Sequence, residues 1–252
     1  MKKILKIGAL SDLHGHLPNP SELNGVDVWV LCGDIVHLEY QRSEALSLDW
    51  YSHEFAEWVK ALDCKKVIMI GGNHDFFLYE QGKGRLNTLF ERICGDKLVY
   101  LEDELYEYEG ITFYGCPWCT GPLNWAFSPG QTRRVKEVFS VDDFYNKIPD
   151  CDILLTHQPP SVGKISTSIY WDKAQARDWG SDRLRLAIKD KKIGVNFCGH
   201  VHSGDHELTL YPTIGCDTKF YNVSYLDERY WPAYDPRYIF IETDTKRVYE
   251  VH

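Results

Sequence analysis

An α/β fold is predicted by three features of the sequence. Short apolar runs alternate with helical patterns over the first two-thirds of the chain. Each run stops at turn residues, mostly Gly and polar groups, and the stretch from Glu207 onward changes to strand patterning alone. Five runs read as buried central strands: Ile4–Leu10, Asp27–Cys32, Lys66–Ile70, Asp152–Thr156 and Gly194–Cys198. Each is short and rich in apolar or β-branched residues, as a strand covered on both faces must be.

Between the second and third runs, Ser43 to Leu62 reads as a helix. Tyr51, Phe55, Trp58, Val59 and Leu62 fall at i, i+4, i+7, i+8 and i+11, one face of a 3.6-residue period, and form a core stripe rather than a cofactor box. Arg85–Cys94 is a shorter helix with Leu86, Leu89, Phe90 and Ile93 inward. Ser181–Lys189 is a third, with Gly180-Ser181 or Asp182 as its N-terminal cap. Leu105–Glu109 and Ile111–Gly115 form a hairpin turning at Glu109-Gly110, and Tyr238–Glu242 with Arg247–Val251 form another across Thr243 to Lys246. No repeat, low-complexity tract or linker interrupts the chain, so residues 1–252 are predicted to form a single domain. Cys119–Ile148 and Ser161–Trp179 are the irregular stretches, and long loops in an α/β domain tend to carry function.

The 252 residues are enough to bury a sizeable core. With 28 basic and 37 acidic residues the formal charge is −9. An acidic surface disfavours sequence-independent nucleic-acid binding, but a small phosphorylated substrate can still be drawn in by a bound metal ion. The N-terminus, Met1 to Ile7, has lysines but no apolar core and no small-residue cleavage site. No apolar run approaches the ~18–20 residues that span a bilayer, so a soluble, cytoplasmic protein without membrane partners is expected. The eight cysteines then belong in a reducing compartment, with Cys32, Cys64, Cys151 and Cys198 as small core residues. Cys116-Pro117-Trp118-Cys119 has redox spacing, but Thr120-Gly121-Pro122 breaks the helix that such a motif must open.

The residues that follow the central strands carry the chemistry. The first run leads into Ser11-Asp12-Leu13-His14-Gly15-His16 and the second into Gly33-Asp34. The third leads into Gly71-Gly72-Asn73-His74-Asp75, the fourth into His157 and the fifth into Gly199-His200-Val201-His202. These strand ends deliver polar groups to one edge of a sheet, where ligands bind in open α/β proteins. Imidazole and carboxylate without thiolate suit a hard-to-borderline divalent metal. So many groups exceed the needs of one ion with open positions and suit two.

This ordered set resembles the calcineurin-like metallophosphoesterase superfamily, whose pattern is Asp-x-His, Gly-Asp, Gly-Asn-His-Glu/Asp, His and Gly-His-x-His. Every element is present. Tyr114-Gly115-Cys116-Pro117-Trp118, Thr156-His157-Gln158-Pro159-Pro160, Gly180-Ser181 and Phe220-Tyr221-Asn222-Val223-Ser224 are similar to its metallophosphoesterase-domain-containing branch, also termed class III cyclic-nucleotide phosphodiesterase-like. The resemblance implies two mixed β-sheets in a sandwich flanked by helices, a four-layer α/β fold. It implies Asp12, His14 and His202 on one metal, Asn73, His157 and His200 on a second, and Asp34 between them. The donor set accepts manganese, iron, zinc, nickel or cobalt, with manganese the natural choice in vitro. The implied reaction is hydrolysis of a phosphate ester, a small diester such as a nucleotide or cyclic nucleotide, with a phosphomonoesterase or a catalytically silent metal-binding scaffold as the alternatives. His74 is then free to stabilise the transition state or protonate the leaving oxygen, with Asp75 orienting its ring.

His16 either faces the substrate or lines the pocket. His37, His53, His206 and His252 are read as surface or packing residues, and Arg133-Arg134-x-Lys136 and Arg183-x-Arg185 as solvated faces rather than phosphate contacts. Trp118, Trp125 and Phe127 suit either a stacking wall for a base or aryl leaving group, or the packing of a long loop. Oligomeric state leaves no mark in the sequence.

Overall fold

The computed structural model describes residues 3–121, 124–129, 140–168, 176–210 and 217–250. In chain order its strands begin with β1 (Ile4–Leu10), β2 (Val28–Cys32), β3 (Lys66–Ile70), β4 (Leu98–Tyr100), β5 (Glu104–Tyr108), β6 (Ile111–Cys116) and β7 (Cys151–Thr156). They continue with the short pair β8 (Thr167–Ser168) and β9 (Arg177–Asp178), then β10 (Ile193–Cys198), β11 (Thr209–Leu210), β12 (Lys219–Asn222), β13 (Arg237–Glu242) and β14 (Val248–Glu250). One six-stranded sheet has the order β14-β13-β1-β2-β3-β4 and a second the order β11-β12-β10-β7-β6-β5. Strands β1 to β4 are mutually parallel, as are β12, β10, β7 and β6. The antiparallel partners sit outside them.

Side-chain alternation explains why the two sheets stack. Leu5, Ile7, Ala9, Val28, Val30, Cys32, Ile68 and Ile70 of the first sheet meet Phe113, Ile153, Leu155, Val195 and Phe197 of the second in one buried cluster. The intervening residues of the first sheet, Leu10, Trp29, Leu31, Val67 and Met69, join the helical layers instead. Every central strand is therefore apolar on both faces, as expected, and the four-layer α/β sandwich follows.

The predicted helix over Ser43–Leu62 is α1 (Glu44–Trp50) and α2 (Ala56–Ala61), joined by a π-type turn over Tyr51–Phe55. Ser43 caps it by accepting from the Leu46 amide, and Tyr51, Phe55, Trp58, Val59 and Leu62 are all buried. The next helix, α3 (Phe76–Cys94), begins well before the predicted Arg85 and kinks at Gly82 (φ 69°, ψ 158°). Glycine accepts that left-handed backbone without a Cβ clash. Helix α4 (Asp142–Tyr145) falls inside a stretch expected to be irregular. Helix α5 (Asp182–Ile188) is capped by Ser181, whose hydroxyl accepts from Leu184 N at 3.1 Å. The β5–β6 hairpin turns at Glu109 (φ 54°) and Gly110 (φ 78°), both left-handed, as a two-residue loop matched to strand twist requires. Arg133, Arg134 and Lys136 lie outside the described residues. Cys116 and Cys119 are buried free thiols pushed well above the ordinary thiol pKa by burial, the reverse of a reactive pair. Among the described residues no helix is long and apolar enough to cross a membrane.

Candidate metal centre

The carboxyl ends of the parallel strands in both sheets open on one side of the molecule. The sequence suggests one sheet edge. The structure uses two, with β1, β2 and β3 of the first sheet and β7 and β10 of the second. Just past these ends Asp12 (φ 54°), His14 (φ 42°), Asp34 (φ 54°) and His200 (φ 68°) all adopt the left-handed region, costing roughly 1 kcal/mol or more each. Backbone bonds hold them there, Asp12 N donating to Gly33 O at 3.0 Å and His14 N to Asp34 O at 2.9 Å. Gly33 (φ 95°) is required, since a Cβ there would lie 2.7 Å from Gly71 O and Gly72 N. Strained polar residues clustered at one place point to a functional constraint rather than to packing.

The predicted ligands converge. Asp34 Oδ2 lies 3.2 Å from His157 Nε2, 3.7 Å from His14 Nε2 and 3.9 Å from His74 Nε2. Asp12 Oδ1 is 3.3 Å from His202 Nε2, and Asn73 Oδ1 is 3.0 Å from His157 Nε2. Two trios of candidate donor atoms, Asp12–His14–His202 and Asp12–Asp34–His157, each fall within 4.8 Å. His200 is in neither trio, and its ring centroid lies 5.1 Å from that of His157. Around them sits a supporting layer. His157 Nδ1 pairs with Cys32 O at 2.9 Å and His202 Nδ1 with Asp227 O at 2.8 Å, which turns both Nε2 atoms inward, where a metal ion would displace any proton they carry. Asp12 accepts from Ser224 Oγ at 2.8 Å and from His200 N at 2.9 Å.

A divalent ion fits this set. Both ring nitrogens of His14 are buried without a hydrogen-bond partner among the described residues, a state that burial penalises unless something else is bound there. Burial, then opposed by Asp34, leaves His14 at about 3, and burial together with neighbouring His157 brings His200 to about 4. Both rings therefore stay neutral, the form that ligates. Burial also opposes charge on His157 and His202, but Asp34 and Asp12 respectively, through charge and hydrogen bonding, outweigh it and raise each to about 9. The same histidines hold the Asp12 and Asp34 carboxyls below the usual range against the effect of burial.

One expected contact is absent. Asp75 does not orient the His74 ring. Instead His74 Nδ1 pairs with Gln41 Oε1 at 2.7 Å. The buried Asp75 carboxylate accepts from Gly72 N at 2.8 Å, Ile35 N at 3.0 Å, Val36 N at 3.2 Å and Tyr51 Oη at 3.1 Å. Asp75 precedes the first residue of α3, so its side chain turns back under the β2 and β3 loops and ties them together. Burial, then the charge of Asp34, raises it to about 7 against the backbone donors that favour the anion.

Sequence reasoning also missed Gln41, the Asp227 carbonyl and Tyr230, none of which stands in a motif, and gave Ser224 no role. Tyr230 (φ 62°) packs edge-on against His14 and His202, with centroids 5.0 and 5.3 Å away. Of the proposed aromatic wall, Trp118 and Phe127 are core residues. Trp125 alone of the three lines a cleft of about 420 Å³ over the centre, with its ring centroid 4.6 Å from that of His74. His16 is exposed, and His206 stacks on Tyr234 at 3.6 Å. Arg183 pairs with Asp142 at 3.0 Å and Arg185 with Asp182 at 2.9 Å, as solvated faces do.

Comparisons with known proteins agree with this geometry. The chain is similar to UPF0046 protein T07D4.2 of Caenorhabditis elegans, 27% identical over 232 residues, covering 82% of this chain and 52% of the relative. It is 29% identical over 198 residues to UPF0046 protein C25E10.12 of the same organism, covering 73% of this chain and 64% of that one. The chain thus spans about half the length of the first of these relatives. Metallophosphoesterase domain-containing protein 1 of Homo sapiens is 24% identical over 258 residues, covering 94% and 71%. The calcineurin-like phosphoesterase family profile matches residues 5–204, from β1 through the whole Gly-His-x-His motif, and the chain belongs to that family.

Proposed function

We propose that the chain hydrolyses a phosphate ester, most readily a small phosphodiester such as a nucleotide or cyclic nucleotide, at a centre of two divalent ions. The observation that carries this reading is the buried His14 ring, unpartnered at both nitrogens and set among Asp34, His74 and His202. Asp12, His14 and His202 would hold one ion, Asn73, His157 and His200 the other, and Asp34 would stand between, its Oδ2 already close to histidines of both groups. Divalent ions held by these residues would supply Lewis acidity to phosphoryl oxygens and lower the pKa of bound water.

The chain's own groups do the rest. Strand ends fix the donors before substrate arrives, so little reorganisation remains at the moment of reaction. His74, held at Nδ1 by Gln41, presents Nε2 to the centre, where it would donate a proton to the departing oxygen, a role worth typically ~10²–10⁴-fold; burial holds its ring below the ordinary imidazole range, which makes the protonated ring a stronger acid and the less populated form. Trp125 walls the cleft beside it. The assignment is tested by His74→Ala. Titration calorimetry with Mn²⁺ is expected to show metal binding kept while turnover drops by ~10² or more. Undiminished turnover would remove His74 from the reaction, and lost metal binding would make it a ligand. Wild-type protein that binds two ions yet cleaves neither diester nor monoester would favour the silent-scaffold alternative.

A further inference from the structure

Among the described residues, Glu228 is the one acidic side chain lining the cleft of about 420 Å³ over the metal centre. Its place is fixed from both sides of His202. His202 Nδ1 pairs with the carbonyl of Asp227, the residue before Glu228, at 2.8 Å. Ser203, the residue after His202, donates to Glu228 Oε1 from its amide at 3.2 Å and from its hydroxyl at 2.7 Å. Ser168 Oγ reaches the same oxygen at 3.3 Å. Glu228 Oε2 has no hydrogen-bond partner among the described residues. We propose that Glu228 is a specificity-determining residue, whose Oε2 accepts from a hydroxyl on the alcohol portion of a phosphodiester held at the centre. The inference rests on the hydrolytic reading above and deepens it by naming that alcohol as neutral and hydroxyl-bearing.

Desolvation supplies the first argument. A ligand that fills the cleft strips water from Oε2, and a carboxylate oxygen left bare costs far more than one that gains a donor. Turning Oε2 away would break the bonds from Ser203 and Ser168 to Oε1. A site built around such a group therefore rejects an analogue that lacks the donor. Ser128 stands in the same walls, 1 % exposed, with no partner for its hydroxyl among the described residues. It is a second polar group that a hydroxyl-bearing ligand satisfies and a hydrocarbon does not.

Charge supplies the second argument. A further anionic group on the ligand would be repelled by Glu228, and among the described residues no Lys or Arg lines the cleft to offset that. A cationic group would be repelled by the divalent ions proposed for the centre. One face of each tryptophan in the walls also carries a guanidinium already, Arg177 at 3.8 Å from the centre of the Trp179 ring and Arg42 at 5.3 Å from that of Trp125. A neutral hydroxyl is the donor that remains. Trp125, Trp179 and Tyr230 add flat apolar surface for the carbon frame that bears it.

The test uses the full chain loaded with Mn²⁺ and the 4-nitrophenyl phosphodiesters of two alcohols that share one ring. The first is a methyl riboside joined through its 5-oxygen, and the second is tetrahydrofurfuryl alcohol, which lacks the ring hydroxyls. The ratio of the two kcat/KM values, measured on one preparation, cancels metal content and active fraction. Wild type is expected to favour the riboside by about tenfold. Glu228→Ala is expected to bring the ratio to about one. Glu228→Gln keeps an acceptor for Ser203 and offers the hydroxyl a neutral amide, so its ratio is expected to fall between the two. No preference in wild type, or a ratio unchanged within about twofold in both variants, would overturn the assignment. Glu228 would then only brace the His202 loop, and the hydrolase would stand. No Mn²⁺-dependent cleavage of either ester by wild type would overturn the hydrolytic reading and this inference with it.

Discussion

Asp75 gives the sharpest test of how the centre is held together. Its carboxylate satisfies four buried donors, the amides of Ile35, Val36 and Gly72 and the hydroxyl of Tyr51. Asp75→Ala strands all of them. An unsatisfied buried donor costs ~1–3 kcal/mol, and partial rehydration together with relief of a buried charge trims the sum, so the expected loss is about 3–5 kcal/mol. Asp75→Asn keeps one acceptor for Ile35, Val36 and Tyr51 but turns an NH₂ group toward Gly72 N–H, for about 1–2 kcal/mol. Urea unfolding with chelator present, at pH 8 where the carboxyl is ionised, measures both. The anchoring role predicts the order Ala far below Asn, with Asn retaining most of its turnover once metal is restored. If Asp75→Asn left stability untouched but cut turnover a hundredfold, Asp75 would be acting on His74 after all and the contact with Gln41 would be misread.

Gly199→Ala would drive a methyl group into Ser11 Oγ and Asp12 Oδ2, so divalent-metal affinity by calorimetry is expected to fall ~10–100-fold, and unchanged affinity would contradict the packing. Gln41→Ala should lower kcat by about tenfold with metal content intact, and Gln41→Glu should recover part of it; equal metal loss in both would point to structure rather than positioning. Asp103 is raised to about 6 by burial despite the Trp118 indole donating to it, so the folded state holds more protons than the unfolded one between about pH 4 and pH 6. Stability from this group is therefore present at the acid end and lost as pH rises through 6, and the melting temperature of Asp103→Asn should show a shallower fall over that window; identical slopes would count against it. Glu109→Asn, at an exposed left-handed turn position, should stabilise by about 0.5 kcal/mol despite losing the Lys3 ion pair, and a lower melting temperature would say that the pair matters more than the turn.

Much of the centre is legible in the sequence because its signals are local. A buried strand declares itself by composition, and a polar triplet just past it has no packing role, so Asp12, His14, Asp34, Asn73, His157, His200 and His202 could be placed at strand ends without coordinates. Helix α1–α2 was legible through its 3.6-residue stripe, although the π-type turn that delivers Tyr51 to Asp75 leaves that period unbroken and was invisible. Asp75 and Gln41 were misassigned or missed for a different reason. Asp75 neighbours His74 in sequence, but the start of α3 throws the two side chains apart, and Gln41 reaches His74 across a loop with no motif of its own. The first half of α3 was lost because Gly82 breaks the helix after it has already begun. The two-sheet arrangement came from the family pattern, since alternation within a strand that is apolar on both faces does not say whether a helix or a second sheet covers each side.

We propose that the converging Asp and His side chains form a two-metal hydrolytic centre for small phosphodiesters. The most direct measurement is hydrolysis of bis(4-nitrophenyl) phosphate beside 4-nitrophenyl phosphate by Mn²⁺-loaded protein, with a chelated control. Metal-dependent cleavage favouring the diester is the expected result. Cleavage that survives chelation would rule out a metal-dependent centre, and a clear preference for the monoester would rule out the diester as its substrate.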